Sequence, residues 1–186
     1  MTLKNIIIRV LKTLDRGDIA ATLEAGAEVG GEAAEKIELL TYCVNAVEDE
    51  LARYYFPLKH EQTLLSDDGK YGFEKFTFKP VKILSVTAGG KNIKYTTFPQ
   101  YIFCGESSIT VCYEYTPPKR GLDELSAFDG TAVGESLIAA GAAAEYCLIC
   151  GSVKLSETWE GRYRREIDSA REKYRVPAVI PPRRWV

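Results

Sequence analysis

The chain has 186 residues, 46% hydrophobic and 27% charged, with a formal net charge of −2. A chain of this length hides roughly 70% of the surface its unfolded form exposes, so it needs neither disulfides nor a metal to hold a core. The composition excludes disorder throughout, and the charge excludes a dedicated nucleic-acid binder.

The charge is unevenly spread. From Gly161 to the end there are eight Lys or Arg and three Asp or Glu, which leaves 16 basic and 23 acidic residues in 1–160. An acidic body with a basic end points to a partner at the C-terminus. Lys4, Arg9 and Lys12 interrupt the partly apolar stretch from Thr2 to Asp15, so it does not read as a secretory signal. The longest apolar run, Leu137 to Gly151, contains Glu145 and is shorter than the about 18 residues of a membrane span. A soluble protein made in the cytoplasm is the expectation.

Leu3, Ile6, Ile7, Val10, Leu11 and Leu14 follow helical spacing, with Thr2 placed to cap the start and Gly17-Asp18 to break the helix. Ile19 to Ala25 is a short apolar-acidic segment, and Gly30-Gly31 a joint. A longer helix is predicted from about Glu32 to Tyr55. Its stripe is Ile37, Leu40, Val44, Val47, Leu51 and Tyr54, its first turns carry Glu32, Glu35 and Glu38, and Pro57 forbids its continuation.

The middle of the chain reads as β. Phe73 to Lys79 alternates, Val81 to Ala88 is rich in branched residues, and Gly89-Gly90 signals a hairpin returning along Asn92 to Thr97. Gln100 to Cys104 and Ser107 to Tyr115 are expected to form a second hairpin about Gly105-Glu106. The sum is one small antiparallel sheet of four or five strands. Residues 119–130 read as a loop.

Helix resumes from Gly134 to Cys150, built largely of Ala139, Ala140, Gly141, Ala142, Ala143 and Ala144. Glycine inside a helix costs about 1 kcal/mol relative to Ala, a cost that close packing of another helix offsets. Gly151 ends this helix, and Ser156 is placed to cap the last one, whose seam is Trp159, Tyr163, Ile167, Ala170 and Tyr174. The order is helices, sheet, helices. It predicts an α+β protein in which the N- and C-terminal helices bundle together and a small antiparallel sheet is inserted. In domain terms this is a single domain over 1–175, with helices over 1–56, a β insertion over 57–118 and helices over 131–175. An extended tail over 176–186 follows.

No catalytic constellation is visible. His60, the single histidine, lies beside Glu61 without a nucleophile motif, and reads as a surface residue. Gly89-Gly90-Lys91 sits between strands and reads as a turn, not a phosphate loop. Of the five cysteines, Cys147 and Cys150 form the one C-x-x-C, but a zinc site ordinarily needs a second pair or two histidines. That pair reads as core filling, with redox or metal chemistry as the alternative. Cys104 and Cys112, flanking the second expected hairpin and placed where they could face each other, also read as apolar fillers. No catalytic residue, cofactor or metal is assigned.

The tail is the most informative segment. Pro177, Pro181 and Pro182 restrict it to extended conformations, which lowers the entropy lost on docking. Ile180, Arg183, Arg184, Trp185 and Val186 supply apolar and arginine anchors of the kind found at interfaces. Arg162, Arg164 and Arg165, with Arg171, Lys173 and Arg175, give the last helix a basic side, alternating with Glu166, Asp168 and Glu172. Arg162, Arg164, Arg165, Arg171 and the tail form the candidate partner-binding set. A solvated helix face is the alternative for the arginines, and folding back on the same domain is the alternative for the tail.

The layout resembles the head-to-tail adaptor proteins of tailed bacteriophages, in particular the tail tubular protein A family of short-tailed phages. The matching stretches are Val10-Leu11-Lys12-Thr13-Leu14-Asp15, then Ile19-Ala20-Ala21-Thr22-Leu23-Glu24, then the helix from Ala33 closing on Tyr54-Tyr55-Phe56. Strands follow, then an Ala-rich helix (Ser136 to Cys150) and a Glu/Arg-rich helix (Ser156 to Lys173). Where the family has glycine after its first helix, this chain has Asp15, with Gly17 two positions later, and the proline-arginine tail has no close counterpart.

The resemblance implies a structural virion protein at the head-tail interface, with no enzymatic activity. Copies would form a ring, typically twelvefold, between the portal protein and the tail or nozzle protein. Genomic DNA would pass through the channel without sequence-specific binding, and no membrane is involved. The candidate set would contact the portal or a neighbouring subunit. Alternatives are another phage neck or tail completion protein, or a small non-phage binding or redox domain using Cys147 and Cys150.

Overall fold

The computed structural model describes residues 1–174; the tail, and with it every predicted tail contact, lies outside the described residues. The chain is α+β, and among the described residues there are five α-helices and seven strands in two antiparallel sheets. It divides into two compact units. Met1–Glu48 and the described residues from Arg120 to Tyr174 form a helical unit, and Asp49–Lys119 form a β unit.

The helical unit begins with α1 (Leu3–Thr13), whose Thr2 Oγ1 accepts from the Asn5 amide at 3.3 Å. Leu3, Ile6, Ile7, Val10 and Leu11 are all buried, as their spacing requires. Gly17 does not break this helix. Asp15 does, with a φ of 59°, while the Arg16 amide reaches back to the Leu11 carbonyl at 2.9 Å. That is the left-handed helix end usually given to glycine, which a short polar side chain tolerates. Gly17 instead opens α2 (Gly17–Glu24), which buries Ile19, Ala20 and Leu23.

α3 runs over Glu32–Glu50 and passes into a π-helical turn, Leu51–Tyr55. Ile37, Leu40, Val44 and Val47 are buried, and Cys43 joins them. Tyr54 does not: the wider π turn rotates it out of the stripe, and it is 70% exposed.

α4 (Glu135–Ile149) and α5 (Val153–Tyr174) form a helical hairpin. A Cβ added at Gly141 would stand 2.9 Å from Tyr163 Cε2 of α5 and 2.9 Å from Val47 Cγ1 of α3. Glycine is there because two neighbouring helices press on the same point. At the hairpin turn Gly151 has a φ of 75°, and the Ser152 amide bonds the Cys147 carbonyl at 2.8 Å. This repeats the helix end at Asp15, here with the usual residue. Ser156 does not cap α5. It lies inside the first turns, buried, and its hydroxyl donates to the Ala144 carbonyl of α4 at 2.9 Å. Tyr163, Ile167 and Ala170 form the buried seam, and Trp159 is half-buried.

The β unit differs from expectation in its pairing. A four-stranded sheet has the order β1 (Leu58–Leu65), β7 (Ser108–Tyr115), β3 (Pro80–Ala88), β4 (Lys91–Asn92). A three-stranded sheet has the order β2 (Lys70–Gly72), β6 (Tyr101–Phe103), β5 (Thr96–Thr97). The hairpin at Gly89-Gly90 exists, with φ of 56° and 76°, the pair of positive values a tight hairpin turn asks for, but its return strand is Lys91–Asn92 alone, and Thr96–Thr97 pair with β6 in the other sheet. The second expected hairpin does not: β6 and β7 belong to different sheets.

Phe73 to Lys79 is not a strand either. Phe73–Lys75 is a 3₁₀ turn. The Thr77 and Phe78 amides are taken by side chains, Gln62 Oε1 at 2.8 Å and Tyr113 Oη at 3.3 Å. The ladder is supplied instead by β1, whose polar letters conceal an alternation: Leu58, His60, Gln62 and Leu64 turn inward against β7. Tyr71, Phe76, Val86, Ile102, Ile109, Val111 and Tyr113 make the core.

Candidate functional site

The four arginines of α5 sit on a helix with three buried seam residues, so their directions follow from 100° per residue. Arg164 and Arg171, seven apart, share one flank. Arg162 lies on the opposite flank, and Arg165 faces away from the seam. Three of these side chains are engaged within the helix. The Arg162 guanidinium stands 5.3 Å over the Trp159 ring, and Arg164 Nε donates to Glu160 Oε1 at 2.7 Å. Arg165 Nε donates to the Gly161 carbonyl at 3.2 Å. Glu157, Glu160, Asp168 and Glu172 are interleaved with them. The arginines therefore ring the outer surface of α5 and do not converge on one patch. Pro177, Ile180, Pro181, Pro182, Arg183, Arg184, Trp185 and Val186 lie outside the described residues.

A different surface emerges at the α4–α5 turn. Leu148, Ile149, Val153 and Leu155 are each about half exposed, between 46% and 54%. The apolar run of α4 outlasts the core: Cys147 is buried and Cys150 is exposed. Its sequence signal is Val153 and Leu155, apolar letters outside the α5 seam.

The cysteines are free thiols among the described residues. Cys43 of α3 joins the neighbourhood of Cys147 and Cys150, which sequence spacing could not reveal. Burial first, then the negative charge of Glu145 and the neighbouring thiols, pushes the Cys43 thiol up to about 12. Burial likewise raises Cys147. Burial and a hydrogen bond with Cys150 push the Tyr146 phenol up to about 12. Thiols held in the protonated form are poor nucleophiles and poor metal ligands. Among the described residues no group of three or more His, Cys, Asp or Glu is arranged to hold a metal. In the β unit, Cys112 stands across the ladder from Glu61 and Ser85, not from Cys104.

Behind these surfaces, residues 120–131 are held by a buried polar cluster. Asn45 of α3 clasps the backbone of Arg120, accepting from its amide at 2.8 Å and donating to its carbonyl at 3.0 Å. Glu48, 1% exposed, accepts from Ser126 Oγ at 2.5 Å and from the Ala127 amide at 3.3 Å. Burial pushes the Glu48 carboxyl above the usual glutamate range, against the lowering effect of these hydrogen bonds and of Arg120. The Leu3 and Lys4 amides bond the Glu124 and Leu122 carbonyls, and the Ser126 amide bonds the Met1 carbonyl. This cluster positions the start of α1 against the segment that leads into α4.

His60 is half-buried in β1, edge-to-face with Phe78 at 5.1 Å and Tyr113 at 5.7 Å. It is part of an aromatic packing group.

No protein-family model matches the chain, and no curated protein is significantly similar to it in sequence.

Proposed function

We propose that the protein is a structural head-to-tail adaptor of a tailed bacteriophage virion, forming a ring between portal and tail that extends the DNA channel. The observation that carries this reading is the helical unit itself. The N-terminal helices and α4–α5 belong to one helical unit, the sequence after α5 is basic and rich in proline, and the α4–α5 turn presents exposed apolar residues. A protein that works by being held between neighbours needs such surfaces. The β unit is carried as an insertion in this bundle.

The acidic body supports a channel wall that lets DNA pass, because favourable phosphate contacts would retain it. The pushed-up thiols of Cys43 and Cys147 weigh against the redox alternative. In this reading residues 176–186 and the arginines of α5 supply the portal contact, and the apolar turn supplies part of the contact between copies.

Native mass spectrometry of the protein mixed with the portal protein of the same genome tests it. A closed ring with equal copies of both supports the adaptor reading. Well-folded proteins that form no complex overturn it. Binding to an assembled adaptor–portal complex, but not to the portal alone, reassigns the protein to a neck or tail completion role. Removal of residues 176–186 is expected to weaken portal binding while leaving the fold intact.

A further inference from the structure

Sheet edges invite pairing, and proteins blunt them with short strands, prolines, bulges or charge. Four of the strands that edge or nearly edge the two sheets here follow that rule. β2, β4 and β5 have three, two and two residues. β3 opens on Pro80 and carries two register irregularities against β7. β1 carries exposed charge but none of the other devices. It runs eight residues without a proline, keeps an unbroken register with β7, and is paired on one side alone among the described residues. Its outer-face residues Lys59, Glu61, Thr63 and Leu65 are exposed, Leu65 to 70%.

From this edge we infer that β1 is a homotypic docking strand, which pairs antiparallel with β1 of a second copy about a two-fold axis. The backbone groups that point away from β7 alternate along the strand, as do the side chains. Two copies can therefore pair only in registers that set residues of the same parity opposite one another. Charge then selects among these. The register centred on residue 59 sets Lys59 against Lys59, and that centred on 61 sets Glu61 against Glu61. The register centred on His60 sets Lys59 of each copy against Glu61 of the other, so both charges of the exposed face are matched twice over. Opposite charges across a ladder are favourable and like charges unfavourable. The register centred on Gln62 leaves Lys59 against Leu65 and matches neither charge. The Lys59/Glu61 alternation that discourages an unrelated strand thus fits a second copy of the same one.

This pairing is isologous, whereas a rotational ring joins unlike surfaces. It is therefore independent of the adaptor reading, and it describes a state of the free protein in which the open edge is covered.

Sedimentation equilibrium of the full chain at several concentrations up to about 100 μM tests it, since a pairing weaker than this would not be populated. A dimer is expected. Glu61→Lys is the sharp variant, because Glu61 faces Cys112 within its own sheet and the change opposes no charge there. It is expected to weaken the dimer about tenfold, as two matched pairs become two clashes. Lys59→Glu is expected to do the same, with its fold checked by thermal melting because Lys59 faces Glu114. The swap Lys59→Glu with Glu61→Lys is expected to restore the dimer. A monomer at every concentration overturns the proposal. A dimer indifferent to Glu61→Lys also overturns it and points to the apolar α4–α5 turn as the contact. Singles that weaken and a swap that does not restore reject the His60-centred register, and the proposal with it. Portal binding by native mass spectrometry is read separately, so loss of either result leaves the other standing.

Discussion

In the helical unit, α4 enters the core with its smallest side chains, Ala139 to Ala144 around Gly141, and the larger residues come to it from α1, α3 and α5. In the β unit the weight is carried by a few large rings. Tyr71 and Tyr113 are fully buried, and Phe76 stacks edge-to-face on Tyr113 at 4.9 Å. The first arrangement lets helix backbones approach closely and leaves almost no room for change. The second fills volume with rings, and its two buried tyrosines each keep a polar handle. Tyr71 donates to the Glu106 carbonyl at 2.7 Å, and Tyr113 donates to Gln62 Oε1 at 2.8 Å. The difference teaches that the two units should fail in different ways: one by added volume, the other by a lost hydrogen bond.

The largest expected effect is Gly141→Val. Branched atoms would meet Tyr163 and Val47 where even a Cβ is too close. A loss of about 3 kcal/mol is expected in chemical denaturation of the whole chain. A variant as stable as wild type would show that α4, α3 and α5 do not meet as described.

Next comes Glu48→Ala, which strips the acceptor from Ser126 and Ala127 and is expected to cost about 2 kcal/mol. Its conservative partner, Glu48→Gln, separates charge from shape. The folded protein keeps the Glu48 proton to higher pH than the unfolded chain, whose carboxyl titrates near the ordinary value of about 4.3. The contribution of Glu48 is therefore fullest below that value and falls as pH rises through the raised folded one. The stability of wild type relative to Glu48→Gln should fall over that window. A difference that grows with pH would reverse the assignment.

In the β unit, Tyr113→Phe keeps the ring and removes the hydroxyl that Gln62 and the Phe78 amide share. About 1 kcal/mol is expected from denaturation, with little change in packing. The smallest effect, and the only gain, is Asp15→Gly. It relieves a non-glycine residue at a φ of 59° and should stabilise by under about 1 kcal/mol. Asp15→Ala, which keeps the strain and loses the polar side chain, should not gain.

These positions also mark what could be read from sequence. The α1 stripe and the α5 seam are amphipathic, so periodicity was enough to place Ile7 or Ile167 inside. The need for a close neighbour at Gly141 followed from the cost of glycine in a helix. Strand partners were less legible, because Ser107 to Tyr115 looks the same whether it pairs with β6 or with β1. The β1 strand was missed because its inward positions include the polar letters His60, whose ring packs among Phe78 and Tyr113, and Gln62, which bonds the Lys75 carbonyl, the Thr77 amide and the Tyr113 hydroxyl. Phe73 to Lys79 alternated like a strand, but its amides are taken by Gln62 and Tyr113, a long-range fact no local pattern carries. At the candidate site, the arginines of α5 read as one basic side because they are dense in sequence. Turned through a helix they surround it.

Residues 120–131 contain no helix or strand, yet their backbone is tied to Asn45, Glu48 and the first residues of the chain. In an exchange experiment such a segment would not behave as a loop. The amides of Leu3, Lys4, Arg120 and Ser126 would give up their protons to deuterated solvent only when the clasp opens, on the slow timescale of the helices rather than that of an exposed connection. A protease that cuts at accessible turns would pass this stretch by and find the Gly89-Gly90 tip first.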